Sequence, residues 1–339
     1  MRTGPGAVAP ATVVRARRGT LRLLTFLGVM LAGAPASALD RCGDDVDGRA
    51  VPCACGDLLV GSHRLGPADP VTTARCPGSG LLVDAAGPVT LDLGGRTIAG
   101  EGQGVGVLVV HGTLTLVGPG SIERFETGVR AEGAAPLAAV TAVRLADNRL
   151  DGLVAHADGF SLQGSVAEGN GRDGFSLAGG GYALDGNRAA GNRRYGFKLV
   201  GMGAHVGGGL GNEARDNAMD GFWLLGGMHQ VIGATAVSNG GHGIFASVMH
   251  TLFAAVDADT NGRSGLVASG PALVVRDSSA TGNRTFGIWV MGPGVEDGGG
   301  NHGTGNTGLM GPQGHGSEMM NTMMAPLVQC RIGMMGECR

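Results

Sequence analysis

The chain has 339 residues, and 67 of them are glycine, about 20% against a usual share near 7%. Hydrophobic residues make up 43% and charged residues only 16%, which is too apolar for a solvated, disordered coil. Aromatic residues are 4%, so a core must consist mainly of Val, Leu, Ile and Ala. The composition excludes collagen, because the glycines lack the Gly-X-Y period, and favours a regularly turning β architecture.

The first 38 residues have the order of a secretory signal peptide. Arg15, Arg17 and Arg18 precede an apolar run at Leu21–Leu31, and Ala36-Ser37-Ala38 offers a small-residue cleavage site. Cleavage would remove five of the 25 basic residues and none of the 28 acidic ones, for a net charge of −8. The sequence therefore predicts an exported protein, either secreted or held at the cell surface or in the periplasm. No later segment is long enough for a membrane span, and no basic surface indicates nucleic acid.

The six cysteines all follow this segment, and an even number in an exported chain favours disulfides. Locality predicts the pairs Cys42–Cys53, Cys55–Cys76 and Cys330–Cys338. Zinc is the alternative, but the 10, 1 and 20 residues between successive N-terminal cysteines fit no common structural zinc pattern. Residues 39–79 are thus interpreted as a Cys-rich N-terminal cap.

The same cap is acidic at its start. Its aspartates are Asp40, Asp44, Asp45 and Asp47. Carboxylate oxygens suit calcium, the one cofactor that the sequence suggests, although the spacing misses an EF-hand loop. Ordinary solvation of these side chains is the alternative.

The motif Asn-x-x-x-Gly-apolar-x-apolar recurs through the middle of the chain. Its asparagines are Asn148, Asn170, Asn192, Asn217, Asn239, Asn261 and Asn283. Successive spacings are 22 residues, with one of 25. Alanine stands three residues before each asparagine from Asn170 on, and no stretch has the length of a helix. Each repeat is therefore expected to form one coil of short strands.

A 22-residue repeat without a helix fits few architectures. Leucine-rich repeats need a leucine ladder that is missing, and propeller blades need about 40 residues. Coils stacked about 4.8 Å apart predict an all-β fold, a single-stranded right-handed parallel β-helix with disulfide-bearing end caps. We assign the helix to residues 80–312 and a Met-rich C-terminal cap or tail to residues 313–339. Copper(I) binding is the alternative for those methionines.

Stacking would place the seven asparagines above one another. Their side chains are predicted to hydrogen-bond along a ladder, and the glycine of each motif to free the backbone for a bend. We therefore interpret both residues as architecture and place no binding site there.

Two segments resemble right-handed parallel β-helix proteins of the pectate-lyase-like superfamily. Cys76–Leu81 (CPGSGL) and Val89–Ile98 (VTLDLGGRTI) look like the opening coil of exported bacterial members, and the resemblance covers residues 42–312. Members often carry Asn and His where this chain has Gly94 and Arg96. The resemblance implies the fold but leaves the activity open, because the superfamily includes lyases, hydrolases, epimerases, adhesins and inert scaffolds.

The residue two positions after each glycine should point outwards, because side chains alternate along a strand. This column reads Val154, Ser176, Lys198, Trp223, Phe245, Val267 and Trp289, and it holds both tryptophans and the only lysine. An exposed apolar strip indicates a ligand or partner. Trp223, Phe245 and Trp289, with Arg194 at the adjoining turn, are predicted to bind a polysaccharide or cell-surface glycan. A loop, the tail or another subunit covering the strip is the alternative.

Asp220 and His242 precede the glycine in adjacent repeats, so stacking would bring them one coil apart with Lys198 nearby. Such a group could serve acid–base chemistry on a glycan. The resemblance implies Lys or Arg as the base of a uronate lyase, often with calcium held by Asp. No carboxylate pair or nucleophile elbow stands out, so solvated turn residues are the alternative.

The sequence thus predicts an exported polysaccharide-binding protein. A polysaccharide lyase or glycoside hydrolase is the alternative, and a non-catalytic structural or adhesive surface protein is the third hypothesis.

Overall fold

The structure is a computed structural model that describes residues 40–131 and 137–308 and the backbone of residues 330–332. These residues form a parallel β-solenoid of about 11 turns. The right-handed parallel β-helix predicted from the sequence is confirmed. The predicted signal peptide at residues 1–38, most of the predicted tail at residues 313–339, and Cys338 with its predicted bond to Cys330 lie outside the described residues.

The strands fall into three groups along the chain. The cysteine-rich segment holds β1 (Arg41–Val46), β2 (Arg49–Val51), β3 (Leu58–Leu59), β4 (His63–Arg64) and a 3-10 turn at Pro70–Thr72. Longer and less regular strands follow as β5 (Leu81–Asp92), β6 (Thr97–Ala99), β7 (Val105–Glu123), β8 (Thr127–Ala131) and β9 (Leu137–Ala146). The repeats supply β10 (Leu153–His156), β11 (Ser161–Gln163), β12 (Val166–Glu168), β13 (Phe175–Gly180), β14 (Ala183–Asp185), β15 (Arg188–Ala190), β16 (Phe197–Met202), β17 (His205–Val206), β18 (Glu213–Arg215), β19 (Phe222–Gly227), β20 (Gln230–Ile232), β21 (Thr235–Val237), β22 (Ile244–Met249), β23 (Leu252–Ala254), β24 (Asp257–Asp259), β25 (Leu266–Ser269), β26 (Val274–Arg276), β27 (Ser279–Thr281), β28 (Ile288–Met291), β29 (Glu296–Asp297), β30 (His302–Thr304) and β31 (Cys330–Ile332).

Each regular coil contributes one strand to each of three parallel sheets. Sheet 1 holds β10, β13, β16, β19, β22, β25 and β28; sheet 2 holds β11, β14, β17, β20, β23, β26 and β29; sheet 3 holds β12, β15, β18, β21, β24, β27 and β30. Phe175 in β13, for example, pairs with Phe197 in β16. Sheet 1 also continues through β8, β7, β5 and β3 to β1, and β31 pairs with β28 at its other end.

The interior is a set of stacked apolar columns. The residue after each motif glycine points inwards, and in three successive coils it is Phe175, Phe197 and Phe222, whose ring centroids stack at 5.1 and 4.7 Å. The alanine column packs in sheet 3 with no exposed surface, as Ala189 and Ala214 show. The small alanines of sheet 3 leave room for the phenylalanine rings of sheet 1, so the interior between the sheets is closely packed.

The asparagines form a continuous buried ladder at the corner between sheets 3 and 1. The backbone N–H and Nδ2 of Asn192 donate to Oδ1 of Asn217 at 3.0 and 2.9 Å. Nδ2 of Asn217 in turn donates to Ala189 O at 3.1 Å and to Oδ1 of Asn239 at 2.9 Å. The same pattern runs from Asn148 through to Asn306, one coil further than the motif. Each buried amide therefore holds one coil to the next.

The motif glycines matter to this ladder because they have no side chain, and not because they allow the backbone to bend. A Cβ at Gly196 would lie 2.7 Å from Gly221 O and 2.8 Å from Nδ2 of Asn217, and the φ of Gly196 is outside the left-handed region. The sequence interpretation of a freed bend is wrong at this position. Glycine is needed because the asparagine of the next coil occupies the place of a side chain.

A second, shorter ladder was not predicted from the sequence. At the corner between sheets 2 and 3, the backbone N–H of Ser165 donates to Oδ1 of Asn187 at 2.9 Å, and Nδ2 of Asn187 donates to Oδ1 of Asn212 at 2.9 Å. Each of these residues stands five positions before an asparagine of the first ladder. That constant offset is the signal that would have revealed it.

The one 25-residue spacing comes from a turn. The extra residues lie between β17 and β18, where Oδ1 of Asp185 accepts from the backbone N–H of Gly209 and of Leu210 at 3.2 and 2.7 Å. Leu210 is 70% exposed. The insertion therefore leaves the register of all three sheets intact.

Two disulfides stabilise the cysteine-rich segment. Cys42 is bonded to Cys53 and Cys55 to Cys76, with Cα–Cα distances of 5.1 and 5.3 Å. Both are the pairs expected from locality, and they fit an oxidising environment. The β1–β2 hairpin is antiparallel, unlike the pairs of sheet 1, and it stands at the start of the solenoid.

The ladder gives the first prediction. Asn217→Ala removes four hydrogen bonds and leaves buried amides on both sides without partners, so it should lower the free energy of unfolding by about 3 kcal/mol. Gln230→Ala removes an exposed amide from β20 and should change it by less than about 0.5 kcal/mol. Urea unfolding followed by circular dichroism measures both; equal effects would show that the ladder does not stabilise the fold.

Candidate functional site

The predicted ligand-binding aromatic residues lie in one column on the outer face of sheet 1, and Arg194 lies before β16 at the adjoining turn. Lys198 pairs in register with Trp223, Trp223 with Phe245, and Val267 with Trp289. All five side chains are half-buried. Val154, predicted to be exposed in the same column, is only 7% exposed; it is a short side chain in register between Arg130 and Ser176.

The column also extends towards the N-terminus, which the sequence did not show. Leu58, Leu82, Leu108 and Arg130 continue it coil by coil in register. The motif spacing could not reveal this extension, because the coils before the repeats differ in length. The outer face of sheet 1 therefore offers one continuous row of side chains along the solenoid axis.

A second aromatic column flanks the first, at the position just before each motif glycine. Tyr195 stacks on Trp223 with ring centroids 5.5 Å apart and an interplanar angle of 12°. His242 contacts Phe245 at 5.8 Å, and Phe286 meets Trp289 edge-on at 4.6 Å. We call these residues the aromatic band: Tyr195, Trp223, His242, Phe245, Phe286 and Trp289. Because Tyr195 covers one face of Trp223, this indole offers a ligand its edge and its other face.

Two cations lie against the N-terminal end of the aromatic band. The guanidinium of Arg194 is 4.7 Å from the centroid of Tyr195, and Nζ of Lys198 is 5.9 Å from that of Trp223. Nε of Arg194 is also 3.7 Å from Oδ1 of Asp173. The charge of Lys198 also acts on Asp173, although no ion pair joins the two among the described residues.

Asp173 is the residue at this site that the sequence analysis did not select. It is fully buried, and its Oδ2 accepts no hydrogen bond from any described residue. Burial and the neighbouring Asp151 raise its pKa, against the opposing effect of Arg194 and Lys198. Perturbed, buried carboxylates concentrate at functional sites. Its place before a motif glycine was visible in the sequence, but its burial was not.

Asp220 and His242 meet as predicted, one coil apart, but through the backbone. Oδ1 of Asp220 accepts from the backbone N–H of His242 at 2.7 Å, and Nδ1 of His242 accepts from the backbone N–H of Ser264 at 3.3 Å. Burial raises the pKa of Asp220. Burial and the nearby Arg263 lower the pKa of His242 to about 4. His242 is therefore neutral near pH 7, with Nε2 as its protonated nitrogen.

Lys198 belongs to a different part of the site. No hydrogen bond or ion pair within residues 137–308 joins it to Asp220 or to His242, whereas its charge acts on Asp173. The three predicted catalytic residues thus form two neighbouring groups on sheet 1 rather than one triad.

The acidic start of the cap does not converge on a calcium site. Asp44 hydrogen-bonds to His63, Asp45 to the backbone N–H of Gly48, and Asp47 to Arg41. Asp44, Asp45 and Asp47 thus each have a partner of their own within the cap.

Among the residues that the structure describes, no helix has the length and apolarity to cross a bilayer.

No family model matches the sequence, and no curated protein matches it either. The A-module of the mannuronan C-5 epimerase AlgE4 from Azotobacter vinelandii is 16% identical, with a TM-score of 0.41 over 76% of this chain and 89% of that chain. The periplasmic alginate epimerase AlgG is 14% identical, with a TM-score of 0.42 over 72% of this chain and 73% of its own. The Dettilon tailspike protein is 10% identical, with a TM-score of 0.32 over 79% of this chain and 58% of its own.

The buried imidazole of His242 gives a prediction for acid stability. Its native pKa of about 4 lies below the unfolded value of 6.5, so between these values only the unfolded chain binds the proton and stability falls as the pH falls. For a half-buried side chain we expect a loss of about 1–2 kcal/mol. His242→Gln should make the unfolding free energy less dependent on pH between 6.5 and 4 than in the wild type. Identical slopes in urea titrations would contradict the assigned environment.

Proposed function

We propose that this protein is an exported polysaccharide-binding protein whose aromatic band holds a glycan chain along the solenoid axis. The observation that carries the proposal is the band itself, a row of aromatic rings that only the coil of Val267 interrupts, with Arg194 and Lys198 at one end. Its rings are half-buried, except for the buried Tyr195. Apolar strips of this kind on an outer surface normally mark a ligand or partner. Its final location, secreted, on the cell surface or in the periplasm, is part of the proposal.

The outer face of sheet 3 supports this proposal by contrast. There Arg144 pairs with Glu123 at 3.3 Å and with Glu168 at 2.7 Å, and Arg188 lies 3.6 Å from Glu213. That face satisfies its own charges, as expected of a solvated surface. On sheet 1 the same fold instead places aromatic rings outwards. Exposing these apolar rings to water is unfavourable, and a bound ligand that covers them offsets this free energy.

The geometry of the aromatic band suits a linear glycan. Trp223 and Trp289 are three coils apart in one column, which is about 14 Å at the coil spacing of about 4.8 Å. One coil is comparable in length with one pyranose ring, so successive sugars can meet successive coils. Arg194 and Lys198 supply hydrogen-bond donors to sugar oxygens at the N-terminal end of the same run.

Removing the tryptophans tests this proposal. Trp223→Ala and Trp289→Ala should each weaken retention on the bound polysaccharide about tenfold, which is ~1.4 kcal/mol. Affinity electrophoresis of the purified protein against a panel of polysaccharides, with calcium and with a chelator, measures the retention. Ile232→Ala, a half-buried apolar residue on the outer face of sheet 2, is the matched control and should change nothing.

Unchanged retention in both tryptophan variants would refute binding at the aromatic band. No retention on any polysaccharide would favour the third hypothesis, a structural or adhesive protein whose strip is covered by another part of the assembly. Retention that needs calcium would indicate a bridging cation between glycan carboxylates and the protein.

Polysaccharide cleavage, by a lyase or a glycoside hydrolase, is the second candidate. The observation that favours it is the pair of shifted groups beside the aromatic band, an Asp220 whose pKa is raised by burial and a His242 that stays neutral. Lys198, whose charge acts on Asp173, is the cation that such chemistry would use on the substrate.

Size-resolved product analysis tests the second candidate. It predicts glycan fragments that disappear with His242→Gln and with Lys198→Ala, while retention of the intact polysaccharide on the aromatic band persists. Fragments that survive both substitutions would place catalysis elsewhere, and retention without any fragments would leave the protein a binding module.

A further inference from the structure

The cysteine-rich segment holds a second group of chemically active side chains, separate from the aromatic band. Sγ of Cys53, a ring nitrogen of His63 and a carboxylate oxygen of Asp69 lie within 4.8 Å of one another. All three residues are buried. In residues 40–131 and 137–308 they are the one set of three or more His, Cys, Asp and Glu side chains that converges in this way.

In the oxidised protein the sulfur of this group is not free to bind a metal, because Cys53 is bonded to Cys42. Reduction would release two thiols at the same place, since the two sulfurs start in direct contact. A phosphine performs that step: it breaks the S–S bond and becomes a phosphine oxide with the oxygen of water, whose two protons go to the sulfurs. Cys42 would then join the three converging ligands as a fourth.

His63 is already oriented as a metal ligand would be. Its Nδ1 lies 2.6 Å from Oδ1 of Asp44, and its Nε2 lies 2.8 Å from Oδ1 of Asp69. Metal-binding histidines usually donate their second ring N–H to a carboxylate, which fixes the ring and strengthens the ligand. Asp44 holds that position here and leaves Nε2 directed at the group.

Asp69 is fixed equally firmly, by the backbone. Its Oδ1 accepts from the backbone N–H of Cys53 at 2.7 Å, and its Oδ2 accepts from the backbone N–H of Gly66 at 2.7 Å. The loop between β4 and the 3-10 turn therefore presents the carboxylate to His63 and Cys53, and a bound metal would replace the hydrogen bond between His63 and Asp69. Such hydrogen bonds to a ligating carboxylate are another usual feature of metal sites.

We propose that reduction of the Cys42–Cys53 disulfide opens a zinc site with Cys42, Cys53, His63 and Asp69 as ligands. Two thiolates, an imidazole and a carboxylate are donors that Zn²⁺ accepts in tetrahedral geometry. Cysteine spacing alone gave no such site, because half of the ligands are not cysteines. The metal would hold the start of the solenoid together while the cysteines are reduced, and the disulfide takes over in an oxidising compartment.

Cobalt(II) is the probe, because thiolate ligation gives it charge-transfer absorption and tetrahedral coordination gives it visible bands. We expect phosphine-reduced protein to bind one equivalent of Co²⁺ with both signals, to lose both when Zn²⁺ is added, and to show neither before reduction. The control is the variant in which Cys55, Cys76, Cys330 and Cys338 are all replaced by serine. After reduction its only thiols are those of Cys42 and Cys53, so signals that it keeps are assigned to these two residues.

Three further variants separate this site from chance thiolate binding. His63→Gln and Asp69→Asn should abolish the tetrahedral bands. Asp44→Asn touches only the ring of His63 and should weaken Co²⁺ binding about 10–100-fold. Far-ultraviolet circular dichroism checks that the strands persist in each. No Co²⁺ signal in the reduced wild type would overturn the proposal. So would signals in all three variants that are as strong as those of the reduced wild type.

Discussion

Backbone pairing between successive coils is the constraint on which the rest of this structure depends. In a parallel solenoid the N–H and C=O groups of each strand find partners only on the coils above and below, so every coil must present the same path to its neighbours. The buried ladder through Asn192, Asn217 and Asn239 applies that rule to the corner where sheet 3 turns into sheet 1. Gly196 and its equivalents are small because the ladder fills the space that a side chain would need.

The same constraint builds the candidate site. Once coils stack in register, any residue type repeated at one position becomes a row along the axis, with no further packing required to align it. Interior rows became the phenylalanine stack and the alanine column, and two outer rows became the aromatic band. The position before each motif glycine varies most, and it carries Asp173, Tyr195, Asp220 and His242. The type of side chain therefore varies from coil to coil at a turn position, where substitutions leave the sheets intact.

Much of the fold could be predicted from the sequence, because one spacing determines it. The 22-residue period gave the coil, the alternation along the strand gave the outer column, and locality gave Cys42–Cys53 and Cys55–Cys76. The coils before Asn148 lack the full motif, so the sequence predicted a solenoid from residue 80 on but not which residues of these coils lie on the outer face of sheet 1. The sequence also did not show that Val154 is buried or that Asp185 holds the inserted turn, since both depend on the size of neighbours in other coils.

The candidate site was predictable in its composition but not in its contacts. The sequence placed Lys198, Asp220 and His242 in neighbouring coils, which the register confirms. It could not show that His242 accepts from a backbone N–H, or that the charge of Lys198 acts on the buried Asp173, because side-chain direction and burial are tertiary properties. For the same reason, the spacing of the cysteines could not show that Cys53, His63 and Asp69 lie close together.

Trp223 and Trp289 are the only tryptophans in the chain, and both belong to the aromatic band. Intrinsic tryptophan fluorescence therefore reports on the band alone, in the unmodified protein. Titration with the retained polysaccharide should change the tryptophan emission in a saturable way and reduce its quenching by acrylamide, because the glycan covers both indoles. Tight polysaccharide binding, measured independently, that leaves emission and quenching unchanged would contradict the account.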